Sequence, residues 1–137
     1  EIGLVGAEDY VKRHADDMSQ HVMGAEWDFG NGEIYKMEPG VGPTALNAIR
    51  DFAEYIAPMG VALATTNTAK GQSDMSLLGK AGQPAVNFAP DGLDYFDFHH
   101  TENDTLDKVD QDALKVNTAI YTLFAYFATS SDTDFRK

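Results

Sequence analysis

The chain has 137 residues and a mass of 15.0 kDa, enough for one domain with a buried core and no need of disulfides or a structural metal. Its 10 Lys and Arg stand against 22 Asp and Glu, giving a formal net charge of -12. That balance excludes duplex nucleic acid, whose phosphates need clustered Lys and Arg, and disfavours anionic membrane surfaces. With no cysteine, disulfides, thiolate zinc sites and cysteine nucleophiles are excluded, leaving His, Asp and Glu as metal ligands. The longest apolar run is six residues, Leu123 to Ala128, so nothing reads as a bilayer span. Composition by itself favours a solvated acidic surface over carboxylates gathered on a cation.

In chain order, Leu4 to Asp17 reads as an amphipathic helix, with Leu4, Val5, Ala7, Val11 and Ala15 on one side. Gln20 to Trp27 reads as a strand ending at Asp28, and Phe29-Gly30-Asn31-Gly32 as a turn. Glu33 to Met37 is a second short strand. Pro43 opens a helix to about Ala57, its missing N–H being harmless at the first helical position. Its apolar face is Leu46, Ile49, Phe52, Ala53 and Ile56. Val61 to Thr65 is a β-branched strand, and Asp74 is expected to cap a short helix closed by Gly79 or Gly82. Ala85 to Phe88 is a buried strand. Asp91 to Asp112 is irregular and holds eight acidic residues and one basic residue. Lys115 to Thr129 is a helix starting near Asp110, with a stripe of Val116, Ala119, Ile120, Leu123, Phe124 and Phe127. The order α-β-β-α-β-α-β-α implies an α/β layered, at least partly parallel sheet, with sites at the carboxyl ends of strands. Asp28 and the acidic loop after Phe88 stand at such ends.

Few residues offer chemistry. His99-His100-Thr101-Glu102-Asn103-Asp104-Thr105 sets imidazoles beside carboxylates, a pattern that serves zinc or simply a hydrogen-bonded loop. Asp28 serves equally as the residue that starts a turn, and Glu1 sits at a chain end that usually frays. His14 reads as a surface residue, and His21 has no partner nearby in sequence. Gly71-Gln72-Ser73-Asp74 lacks the lysine and glycine spacing of a phosphate loop. Ser73 has no His-Asp pattern to make it a nucleophile. Tyr95, Phe96 and Phe98 read as a core or pocket wall.

Taken together, Gly71-Gln72-Ser73-Asp74, Ala81-Gly82-Gln83-Pro84-Ala85 and the run from Asp94 to Asp110 resemble the co-catalytic dizinc aminopeptidases, metallopeptidase family 28, in its carboxypeptidase Q branch. The opening Glu1-Ile2-Gly3-Leu4-Val5-Gly6-Ala7, followed by a helix carrying Tyr10, matches too. The resemblance covers nearly the whole chain. It implies a mostly parallel sheet flanked by helices, as in the zinc-exopeptidase (phosphorylase/hydrolase-like) fold. Residues 1–137 would be the C-terminal portion of one catalytic domain. It further implies Glu1, Asp28 and His100 as zinc ligands, with Glu1 and His100 on one ion and Asp28 on the other. His99, Asp74 and Tyr95 become pocket neighbours, and Asp104 and Thr105 loop-fixing residues. Trp27 stands where the family has a small or polar residue, and Gln72 where a second Gly is common.

The family's His-x-Asp motif, bridging aspartate and general-base glutamate would precede residue 1. The chain alone is therefore expected to be inactive as a peptidase and to bind zinc weakly. An exposed sheet edge would pair with the missing N-terminal half or with another copy. The parent's substrates would be peptides or dipeptides. Family resemblance implies secretion or a periplasmic location, and a chain beginning with Glu1 shows no leader by which to judge it. Two other readings compete: a non-catalytic module of peptidase fold acting in binding or oligomerisation, and an unrelated acidic α/β domain.

Overall fold

The computed structural model describes residues 3–137. Eight regular elements follow one another: α1 (Val5–Arg13), β1 (Ile34–Gly40), α2 (Leu46–Ile56), β2 (Ala62–Leu63), α3 (Met75–Lys80), β3 (Ala85–Pro90), α4 (Tyr95–Phe98) and α5 (Gln111–Ser130). The class is mixed α/β. In the sheet β1 lies between β2 and β3. It runs parallel to β2 at Lys36–Ala62 and Met37–Leu63, and antiparallel to β3 from Ile34–Pro90 to Gly40–Ala85. Beyond β3, Gly24 bridges Ala85 in the parallel sense. Two of these three pairings are thus parallel, while the antiparallel one is the longest.

Several boundaries differ from the sequence expectations. The strand foreseen over Gln20 to Trp27 shrinks to the single bridge at Gly24, because Met18–Gln20 winds into one 3-10 turn and Glu26 onward is claimed by side-chain partners. α1 stops at Arg13, where His14 caps it through its N–H on the Tyr10 carbonyl. The strand foreseen over Val61 to Thr65 pairs at only two residues. Past it, the Asn67 amide takes over, accepting from the Val41 N–H at 3.0 Å and donating to the Val41 carbonyl at 2.8 Å.

The helices follow from their apolar spacing. Ile49, Phe52, Ala53 and Ile56 of α2 and Ile120 and Phe124 of α5 bury into one cluster with Ile34 and Met37 of β1 and Val86 and Phe88 of β3. Phe52 stacks on Phe127 with ring centroids 4.7 Å apart. Each such side chain contributes about 1.5–3 kcal/mol on burial, so this cluster and not the charged surface carries stability. At the start of α5 the Asp110 carboxylate accepts from the N–H groups of Asp112 and Ala113. The C-terminal tail also folds back. The Phe135 carbonyl accepts from the Gly42 N–H at 2.8 Å, and its ring packs on Phe127.

Within the α5 stripe stands a polar residue that spacing does not reveal. Asn117 is fully buried; its Oδ1 accepts from the Ile34 N–H at 3.0 Å, and its Nδ2 donates to the Gly32 carbonyl at 2.8 Å. It clamps the turn that enters β1 onto α5. Among the described residues no helix is long and apolar enough to cross a membrane.

Candidate metal centre

The segment Glu26 to Phe29 is held at every residue. Glu26 uses its carboxylate to accept from the N–H groups of Asp74 and Met75, at 3.2 and 3.1 Å. It thereby caps α3 from a distance, while the Asp74 side chain, expected to cap, makes no such bond. The Glu26 carbonyl accepts from the Tyr121 hydroxyl at 2.6 Å. Burial, and secondarily the Glu26 charge, pushes the Tyr121 phenol well above the usual tyrosine range. Trp27 stacks on Tyr121 and donates from its indole to the Gly30 carbonyl at 2.8 Å. So the bulky residue at this position braces the chain rather than filling the cavity. Asp28 accepts a hydrogen bond from the Ser73 hydroxyl.

Ser73 reaches Asp28 because of Gly71. Gly71 has φ +85°, and a Cβ there would lie 2.5 Å from the Met75 backbone. Only glycine permits that turn into α3.

The facing wall is α4 and the loop after it. A row of rings runs along it: Phe29 stacks on Tyr95 at 4.3 Å, Tyr95 meets His99 at 4.7 Å, and His99 stacks on His100 at 3.8 Å. His100 has φ +56°, the left-handed region that disfavours side chains other than glycine. Such strain, about 1–3 kcal/mol, persists where the surroundings over-determine it and gathers at functional sites.

Between the walls lies a cavity of about 580 Å³. Asp28, Ser73 and Asp74 line one side, and Asp94, Tyr95, Phe98, His99, His100 and Asp104 the other; Gly3, Leu4 and Gly6 close it next to the chain start. No Lys or Arg is among these described lining residues. Four carboxylates without a basic partner create a strong preference for a cation. Their oxygens and the two imidazoles are donors that zinc accepts.

Of the residues singled out by sequence, Asp28, His100, His99, Asp104, Asp74 and Tyr95 share this cavity. Thr105 is not among its lining residues; its hydroxyl donates to the Asp107 carboxylate at 2.5 Å, inside the following loop. Glu1 lies outside the described residues. No three of the described carboxylate and imidazole donors in the cavity come within 4.8 Å of one another. Asp28 and His100 therefore do not enclose a single ion with their described neighbours. Glu26, Tyr121 and Asn117 support the site and are not apparent from sequence, because their partners lie far along the chain.

The chain belongs to Peptidase family M28, whose sequence profile matches residues 1–125. It is 25% identical over 132 residues to carboxypeptidase Q of Mus musculus, covering 96% of this chain and 28% of that protein. With carboxypeptidase Q of Rattus norvegicus it shares 26% over 126 residues, covering 92% of this chain and 26% of that protein. A crystal structure described as a peptidase M28 precursor from Shewanella amazonensis SB2B superposes with a TM-score of 0.95 at 40% identity. That match covers 100% of this chain and 31% of the other. The chain thus spans less than a third of the length of these relatives.

Proposed function

We propose that this chain supplies one part of the zinc centre of an exopeptidase. Asp28 would hold one ion, and His100, with Glu1, the other. The observation that carries this reading is the meeting of Asp28 and His100 in one acidic cavity with no described basic residue on its walls. No three of its described donors gather around one point, so an ion held here would draw further ligands from the rest of the protein. Bound zinc supplies an acidified water and a polarised peptide carbonyl.

The chain's own residues do the holding. Ser73 fixes the Asp28 carboxylate, Glu26 and Trp27 fix the backbone on either side of it, and the ring row from Phe29 to His99 fixes the His100 imidazole. Asp104, which lines the same cavity as His100, adds negative charge to it. The substrate is an N-terminal residue or dipeptide, and the general base is a glutamate from the preceding segment. The chain works only together with that segment, and by itself is inactive. A periplasmic or extracellular location accords with this reading.

The test is hydrolysis of aminoacyl and dipeptide substrates by the parent protein carrying Asp28→Asn or His100→Ala. Each should lower kcat/KM by two orders of magnitude or more, with loss of bound zinc. Full activity in both variants would overturn the proposal. So would turnover by the 137-residue chain alone that a chelator abolishes.

A further inference from the structure

A second group of metal-type donors lies away from the cavity. Gly6, near the start of α1, lines the cavity, while His14 caps the far end of that helix. At 1.5 Å per residue the two stand about 12 Å apart along the axis. Around His14 the chain turns back through Asp17 into the 3-10 turn Met18–Gln20, bringing His21 up against the helix end. His14, Asp17 and His21 each offer one ligand atom, all within 4.8 Å of one another and all half-buried.

The geometry is held from several directions. His14 Nδ1 is 3.2 Å from both Asp17 carboxylate oxygens. His21 Nε2 is 2.9 Å from the Tyr10 hydroxyl, and its Nδ1 is 3.3 Å from the Asp17 carbonyl oxygen. Tyr10 stacks on His14 at 4.2 Å, and the two imidazoles meet edge to face at 5.9 Å. Arg136, from the C-terminal tail, donates to the Met18 carbonyl at 2.9 Å and to the His21 carbonyl, fixing the segment that carries His21. The carbonyls at the end of α1 add partial negative charge, which favours a cation.

We propose that His14, Asp17 and His21 form a separate site for a divalent transition metal of the zinc class, stapling the end of α1 to the segment before Gly24. Two imidazoles and one carboxylate suit zinc, nickel or copper, whereas calcium and magnesium want all-oxygen shells. Bonds of about 2.0 Å place tetrahedral ligand atoms about 3.3 Å apart; His14 and Asp17 already stand at 3.2 Å, and with all three atoms within 4.8 Å of one another the group closes with side-chain shifts of at most about 1.5 Å. Three protein donors leave the fourth position to water. The same residues also make an ordinary hydrogen-bonded helix end, and zinc titration separates the two.

The experiment uses the metal-free parent protein with imidazole-labelled histidines, titrated with Zn²⁺ and followed by NMR and calorimetry. The His14 and His21 ring signals should shift together, and they should do so equally in an Asp28→Asn/His100→Ala background. His14→Gln/His21→Gln should bind one equivalent fewer, and Asp17→Asn should weaken that equivalent at least tenfold. Ring signals that stay put in the unmutated protein, or an unchanged stoichiometry in the double variant, would overturn the proposal. Reading the unmutated rings keeps the test decisive if a variant folds poorly.

Discussion

Replacing Asn117 by Ala removes the clamp between α5 and the turn that enters β1. Ile34 is 2% exposed, so its N–H then has neither Asn117 nor water to bond. An orphaned buried donor costs about 1–3 kcal/mol. The Gly32 carbonyl lies in a half-buried residue and recovers water, so its loss is smaller, about 0.5–1 kcal/mol. Alanine returns about 0.5 kcal/mol through its better helix propensity. The net expectation is a destabilisation of about 1–3.5 kcal/mol, a substantial share of the about 5–15 kcal/mol typical of a domain. Asn117→Asp should be no milder, since it keeps the acceptor but buries a charge and loses the donor. Urea unfolding followed by the single tryptophan, Trp27, reads this directly, because that indole stacks on α5 through Tyr121. A change below about 0.5 kcal/mol for Asn117→Ala would refute the reasoning that two backbone groups depend on this amide.

Three further outcomes are expected. Tyr121→Phe deletes the donor to the Glu26 carbonyl and should cost about 1 kcal/mol in urea unfolding; in alkaline titration the wild-type Tyr121 should stay protonated well above the ordinary tyrosine range. Glu26→Ala uncaps α3 at two N–H groups and should cost about 1–2 kcal/mol, read as a lower Tm; an unchanged Tm would contradict the capping role. The Thr66 hydroxyl, then that of Thr68, holds the Glu38 carboxyl below its ordinary value of 4.5. A folded-state pKa below the unfolded one means stability present above the unfolded value and lost as pH falls through the folded one. Thr66→Val/Thr68→Val should therefore raise the Glu38 pKa in a carboxyl NMR titration and move acid unfolding to higher pH; an unmoved Glu38 titration would count against it.

Local pattern carried much of this fold. The apolar spacing of α2 and α5 and the run from Ala85 are short-range signals, and each element stands where they point. The segment from Gln20 to Trp27 misled because its apolar residues fit a strand, while Glu26 and Trp27 take partners in α3 and α5 that lie far along the chain. Asn117 and Tyr121 act across 83 and 95 residues, beyond the reach of any local pattern, and Asn117 even interrupts the stripe that predicts its helix. A zinc role for Asp28 and His100 is implied only by motif resemblance; the structure adds that both line one cavity. Their locality says turn and loop, and the cavity they share exists only after β3 and α4 have folded back beside Gly30. His14 reads as a surface residue and His21 as one without a partner nearby in sequence until the chain turns at Asp17.

The central claim is that Asp28 and His100 belong to one zinc centre. Anomalous diffraction at the zinc edge, on crystals of the parent protein, tests it most directly. One peak should be bonded to the Asp28 carboxylate and a neighbouring peak to the His100 imidazole, within the cavity that Ser73 and Asp104 also line. Zinc-loaded crystals with no anomalous peak at either residue would contradict it.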